Sequence, residues 1–129
     1  MEYSTFGKHA IVDTWGVDYT LLNDISFLQK YLIKAAEFCG ANVLSVQSHQ
    51  FEPQGVTVLV TLSESHISIH TYPEKGFAAL DCYTCGTSVD PIKAILYMLD
   101  ILRPKEVFSK VLIRGKTSIK EDKTFVLSS

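Results

Sequence analysis

Two hydrophobic periods run through this chain, and each marks off its own kind of element. At spacings of three and four, Ile25, Leu28, Leu32, Ala35 and Cys39 share one face and predict a helix, with Asn23 or Asp24 placed to cap its start and Gly40 just past its end. A second helix is bounded by Asp90 as N-cap, Pro91 at the first helical position and Pro104 as the stop, with Ile92, Ile95, Leu96 and Leu99 on one stripe. Short β-rich runs predict strands at 9–15, 43–50, 56–62, 66–72, 77–83 and 107–113. Gly16, Pro53-Gln54-Gly55, Pro73 and Lys75-Gly76 supply turn chemistry between them.

The strands between residues 42 and 85 follow one another with no helix among them, which predicts antiparallel pairing. Each helix has one apolar stripe to bury. The expected fold is therefore α+β, a single two-layer α/β sandwich in which a mainly antiparallel sheet carries two helices on one face. The other face of the sheet is left for a second copy or for the site, and the lysine-rich residues 116–129 form a peripheral tail. With 129 residues, 47% of them apolar, the chain supports one domain with a real core but not two.

Composition removes several classes of function. A formal charge of −2 with scattered Lys and Arg gives no electrostatic footprint for nucleic acid. No apolar run approaches the roughly 20 residues of a bilayer span. Met1-Glu2-Tyr3 lacks the basic and then apolar pattern of a secretory leader, so a cytoplasmic protein without a membrane partner is expected. Cys39, Cys82 and Cys85, an odd number, argue against a secreted disulfide framework.

Reactive side chains concentrate in Ser-Glu-Ser-His-Ile-Ser-Ile-His-Thr-Tyr-Pro-Glu, residues 63–74, and in Asp81-Cys82-Tyr83-Thr84-Cys85-Gly86. Serine gains little from a strand interior, and histidine is costly to bury unpaired. Three readings follow from the residues alone. His66, Ser68 and His70 form the polar face of an edge strand, alternating with Ile67 and Ile69. Alternatively, His66 and His70 join Cys82-x-x-Cys85 in a metal site, or the two cysteines form a redox pair.

The same segment, with the Gly-Phe-Ala-Ala-Leu-Asp strand and Tyr-Thr-Cys-Gly after it, closely resembles the processing and catalytic region of the bacterial-type S-adenosylmethionine decarboxylases. Gly7-Lys8-His9, Pro53-Gln54-Gly55-Val56 and Val89-Asp90-Pro91 extend the likeness over roughly residues 7–114 in order and spacing, which is far more specific than a lone motif. The resemblance implies a proenzyme that cuts itself between Glu64 and Ser65, giving chains of residues 1–64 and 65–129. Its Ser65 becomes a pyruvoyl group, an electron sink that holds the substrate amine as a Schiff base, so neither pyridoxal phosphate nor a metal is expected. The product would be the aminopropyl donor for spermidine synthesis.

By the same resemblance, Ser65 attacks the carbonyl of Glu64, His70 is the base in processing, and Cys85 returns a proton to the substrate α-carbon. Thr57 falls where the family usually has serine and keeps the assisting hydroxyl. Phe51, Tyr72 and Glu74 match the positions that hold the nucleoside, Tyr72 standing where a different aromatic is common. Asp13, an acidic residue within a strand, is a further candidate for the site. Cys82 and Cys39 are core residues in this reading. Ser65 and His70, five apart, point to opposite faces of a regular strand, so Ser65 is expected in a turn, or in a strand that a bulge puts out of register. A homodimer of cleaved protomers is expected, both from the resemblance and from the uncovered sheet face. Arginine or ornithine is the rival substrate within the same chemistry, and a non-catalytic metal- or ligand-binding domain is the rival of another class.

Overall fold

The computed structural model describes residues 5–63, 65–86 and 88–123. In chain order the elements are β1 (Gly7–Trp15), α1 (Tyr19–Leu22), α2 (Ile25–Phe38), β2 (Val43–Gln50), β3 (Val56–Leu62), β4 (Ser65–Tyr72), a 3₁₀ turn (Pro73–Lys75), β5 (Phe77–Cys85), α3 (Pro91–Leu102), β6 (Glu106–Arg114) and β7 (Lys120–Glu121). The strands form one sheet ordered β2-β3-β4-β5-β1-β6-β7, and the pairings along it are antiparallel. Consecutive strands β2 to β5 are neighbours, as expected, while β1 inserts between β5 and β6.

The caps sit where the sequence places them. Asp24 accepts a hydrogen bond from the Phe27 amide at 3.0 Å, and Asp90 accepts from the Ile92 amide at 3.0 Å, each satisfying one of the free donors at a helix start. The helix α1 was not anticipated because four residues show no period; Asp18 opens it by accepting from the Thr20 amide at 2.7 Å. The lysine-rich segment adds β7 to the sheet edge beside β6, and residues 124–129 lie outside the described residues.

Helices α2 and α3 touch one another and lie on the same face, α2 over β2 and β3, α3 over β5 and β1. Leu28, Leu32, Ala35, Ile95, Met98 and Leu102 pack there against Val58, Val60, Ile67, Ile69, Leu80 and Cys82, all 3% exposed or less. A large-to-small change such as Leu32→Ala costs about 2–5 kcal/mol in so dense a core. Buried threonines on this side find partners: Thr14 donates to the Ala78 carbonyl at 2.9 Å and Thr71 to the Leu22 carbonyl at 2.7 Å. The other face of the sheet is uncovered and leaves Ile11, Leu59 and Phe108 exposed. Among the described residues no helix is long and apolar enough to cross a membrane.

Candidate active site

Ser65 is the first residue of β4 and pairs with Leu62, so Ser63 and Glu64 alone connect β3 to β4. Glu64 itself lies outside the described residues. The Ser63 amide donates to the Asn42 carbonyl at 3.0 Å and ties this turn to the start of β2. Ser65 and Cys85, twenty positions apart, line one cavity of about 130 Å³, closed by Asn42, Ser63, Ser88 and Val89. Cys85 is the partly exposed thiol of the three. Burial pushes the Cys39 and Cys82 thiols up, which keeps them protonated and inert in the core, as expected for both.

His70 is elsewhere. It pairs with Thr57, whose hydroxyl is hydrogen-bonded to His70 Nδ1 at 3.0 Å on the uncovered face. The β3–β4 register runs unbroken from Leu62↔Ser65 to Thr57↔His70, so no bulge intervenes. This corrects the expectation that a turn or bulge at Ser65 lets His70 of the same chain reach it. The turn precedes Ser65, the strand alternates regularly, and five residues of strand, about 17 Å, separate the two side chains.

The other candidates gather at His70's end of the sheet. Phe51 and Tyr72 are 47% and 51% exposed, and Phe51 meets His49 edge-on at 4.5 Å. The loop carrying Phe51 is closed by its own amide, which donates to the Gly55 carbonyl at 2.8 Å, and by Asn23 Oδ1, which accepts from the Gly55 amide and Gln50 Nε2. Gly55 has φ +110, and a Cβ there would stand 3.3 Å from the Thr71 carbonyl, so glycine is required. Glu74 is exposed in the 3₁₀ turn after Tyr72. Asp13 is exposed rather than buried, and through Ala79 it shares a row of the uncovered face with His70, two strand spacings or about 10 Å away.

One cluster was not singled out from the sequence. Asp81 Oδ2 accepts from His9 Nε2 at 2.7 Å and His66 Nε2 at 2.9 Å, and Asp81 Oδ1 accepts from Ser68. Arg114 Nη1 lies 3.2 Å from His9 Nδ1. A guanidinium can only donate, so Nδ1 is the acceptor and the His9 proton sits on Nε2, aimed at Asp81. Burial alone would raise the Asp81 carboxyl, but hydrogen bonds from His9, Ser68 and His66, together with the charge of His66, hold it well below the usual carboxylate range. Alternation along β5 places Asp81 on the same face as the histidines, but the register that joins residues 9, 66 and 81 is not written locally in any of the three strands.

The metal set considered from the sequence does not assemble. His66 and His70 are four strand residues apart, about 13 Å, and Cys82 and Cys85 belong to opposite faces. His9, His66 and Asp81 do bring three ligating atoms within 4.8 Å of one another. Both Nε2 protons point at the carboxylate, however, so this arrangement is a hydrogen-bonded clamp with no imidazole lone pair turned inward.

Known proteins resemble this chain over nearly its whole length. The S-adenosylmethionine decarboxylase family model matches residues 8–115. An S-adenosylmethionine decarboxylase proenzyme of Brevibacillus brevis is 67% identical over 115 residues, covering 89% of this chain and 86% of that one. An S-adenosylmethionine decarboxylase proenzyme 2 of Bacillus cereus is 64% identical over 115 residues, covering 89% and 94%. The crystal structure of the adenosylmethionine decarboxylase from Aquifex aeolicus matches with a TM-score of 0.80 at 32% identity, over 93% of this chain and 98% of that one. The match takes in both ends of the sheet, Ser65 with Cys85 and Thr57 with His70, and this chain belongs to the S-adenosylmethionine decarboxylase family.

Proposed function

We propose that this chain is a self-processing, pyruvoyl-dependent S-adenosylmethionine decarboxylase of the cytoplasm, working as a homodimer. Beside family membership, one observation carries the reading: Ser65 and Cys85 line the same small cavity directly after a two-residue turn. A serine at the head of a strand can turn on the carbonyl before it, and Cys85, lining the same cavity from β5, is the acid available to the carbon that would later react there.

In processing, Ser65 Oγ attacks the Glu64 carbonyl and the peptide becomes an ester. A base then removes the Ser65 α-proton, Glu64 departs as a carboxylate at the end of residues 1–64, and water releases the serine nitrogen as ammonia to leave pyruvoyl at residue 65. The pyruvoyl group supplies the electron sink for loss of the substrate carboxylate. Cys85 gives the proton that replaces it on the α-carbon. Phe51 and Tyr72 offer their exposed faces to the adenine and the sulfonium, and Glu74 takes hydrogen bonds from the nucleoside.

The separation of the two ends supports the dimer. One chain offers Ser65 and Cys85 at one end of its sheet and Thr57, His70, Phe51 and Tyr72 at the other. Two chains packed uncovered face to uncovered face about a two-fold axis that runs across the strands would set the His70 end of each against the Ser65 end of its partner. Ile11, Leu59 and Phe108 on that face, with a groove of about 480 Å³ over Ile11, Asp13, Phe108 and Lys110, are surface that such a pairing would cover.

Denaturing mass spectrometry of the purified protein is expected to show chains of residues 1–64 and 65–129. Carbon dioxide release is expected from S-adenosylmethionine and not from arginine or ornithine. Release from either amino acid instead would reassign the substrate, and an intact chain holding stoichiometric zinc would overturn the enzyme reading.

A further inference from the structure

Among the described residues Tyr83 is the aromatic side chain placed between the Asp81 clamp and Cys85, and Gly7, Arg114 and His9 fix it. It lies on the same face of β5 as Cys85, two residues before it. Gly7 pairs directly with Cys85 across the β1–β5 ladder, and the Tyr83 ring occupies the space above Gly7: a Cβ there would meet the phenolic oxygen at 2.7 Å and ring carbons at 2.8 Å. The ring therefore leans along the strand in the direction of Cys85, and Gly7 is glycine to let it. Arg114, which pairs with Gly7 from the other side, covers the ring with its guanidinium carbon 4.9 Å from the centroid, and the His9 ring meets it edge-on at 5.4 Å. The guanidinium is itself oriented by its hydrogen bond to His9, whose proton is committed to Asp81.

We propose that Tyr83 is a positioning residue for the Cys85 thiol, its hydroxyl steered across Gly7, clamped under Arg114, and donating to Cys85 Sγ so that the thiol is held in one orientation at the cavity that Cys85 and Ser65 both line. Burial and the adjoining Cys85 sulfur both push the Tyr83 hydroxyl up, which keeps its proton in place as the donor of that bond. Sulfur hydrogen bonds are weak and a cysteine side chain turns freely about one torsion. A thiol that must deliver a proton to one carbon and not its neighbour gains from an external hold of this kind. The chain Asp81, His9, Arg114, Tyr83, Cys85 also gives the clamp a purpose at the site, although Asp81 is four residues from the sulfur it serves.

The proposal rests on Cys85 being the proton donor, so its test separates the contact from the activity. Tyr83→Phe keeps the ring under Arg114 and over Gly7 and removes the hydroxyl alone. In a Ser65→Ala background, which needs no processing, iodoacetamide labelling of Cys85 at fixed pH is followed by peptide mass spectrometry, Cys39 and Cys82 being buried controls. Loss of the donated hydrogen bond is expected to slow labelling by roughly three- to ten-fold, the range for one hydrogen bond. In the processed enzyme the same change is expected to lower kcat with KM nearly unchanged, and Arg114→Gln, which frees the ring, is expected to reproduce both effects. Labelling of Tyr83→Phe at the rate of its parent overturns the proposal whatever the enzyme does. Slowed labelling with an active Cys85→Ala variant would instead keep the contact and remove the role of Cys85.

Discussion

The proposed exchange of His70 between two chains has a consequence that mixing of variants measures directly. Ser65 and His70 of one chain are separated by about 17 Å of regular strand and face opposite ways, whereas proton transfer needs approach to about 3 Å. No rotamer change closes such a gap, and moving the strand by one residue would expose Ile67 and Ile69, both fully buried. Ser65→Ala and His70→Ala homodimers are therefore each expected to stay uncut, the first for want of a nucleophile and the second for want of a base. Co-expressed with different affinity tags, the two variants assort into mixed dimers, and within each the His70→Ala chain has its own Ser65 and its partner's His70. With random pairing about half of the dimers are mixed and about a quarter of all chains are cut, every one of them a His70→Ala chain. Native mass spectrometry fixes the fraction of mixed dimers, and denaturing mass spectrometry counts cleaved chains by tag. Abundant mixed dimers with no cleavage would refute the exchange and return His70 to its own chain. Full cleavage of the His70→Ala homodimer would remove it from processing altogether.

Further outcomes are expected at single positions. Cys85→Ala should yield both processed chains yet lose most turnover, as read by mass spectrometry and carbon dioxide release together. Asp81→Asn, which removes the charge that His9, Ser68 and His66 converge on, should cost about 2 kcal/mol and lower Tm by roughly 5–10 °C in a thermal melt. The acid side of the stability curve should change with it. The folded Asp81 carboxyl is held below its unfolded value, so its contribution is complete above about pH 4 and fades as pH falls further towards the folded value. Denaturant titrations of wild type and Asp81→Asn should therefore converge at low pH and remain parallel between pH 5 and 8. Gly55→Ala, strained at φ +110 and crowded against the Thr71 carbonyl, should disturb the Phe51 loop and raise KM more than it lowers kcat.

Much of this architecture was legible because local chemistry decided it. Asp24 and Asp90 cap their helices, Cys39 and Cys82 are buried, and β2 and β3 begin and end where alternation and the Pro53-Gln54-Gly55 turn set them. The concentration of serine and histidine after residue 62 falls on one strand, β4, which carries Ser65, His66, Ser68 and His70. What could not be seen is whatever depends on register between distant strands. Nothing near His9 announces that it will donate to Asp81, 72 positions later, or that Arg114 will set its tautomer. Gly7 and Tyr83 are each unremarkable until β1 is known to lie beside β5. The relation of Ser65 to His70 failed for a different reason. Alternation alone sets the two on opposite faces and leaves a turn or bulge as the way to join them within one chain; the unbroken ladder from Leu62↔Ser65 to Thr57↔His70 removes that way.

The place of β1 in the sheet bears on what the proposed cut between Glu64 and Ser65 would leave behind. Residues 1–64 contribute β1, β2 and β3, and residues 65–129 contribute β4 to β7, but the sheet does not divide along that line: β1 lies between β5 and β6, with a ladder on each side. The two fragments are thus woven together, and the smaller cannot peel away from an edge without tearing both ladders of its first strand. Such a cut would leave the weave intact while deleting the tether that makes its assembly unimolecular. Once unfolded, the mature pair has to find itself again at a rate set by concentration, and it can no longer retrace the path by which the uncut chain threaded β1 into place. With the cut where it is proposed, the uncut chain would be the form that folds and the cut pair the form that has only to persist.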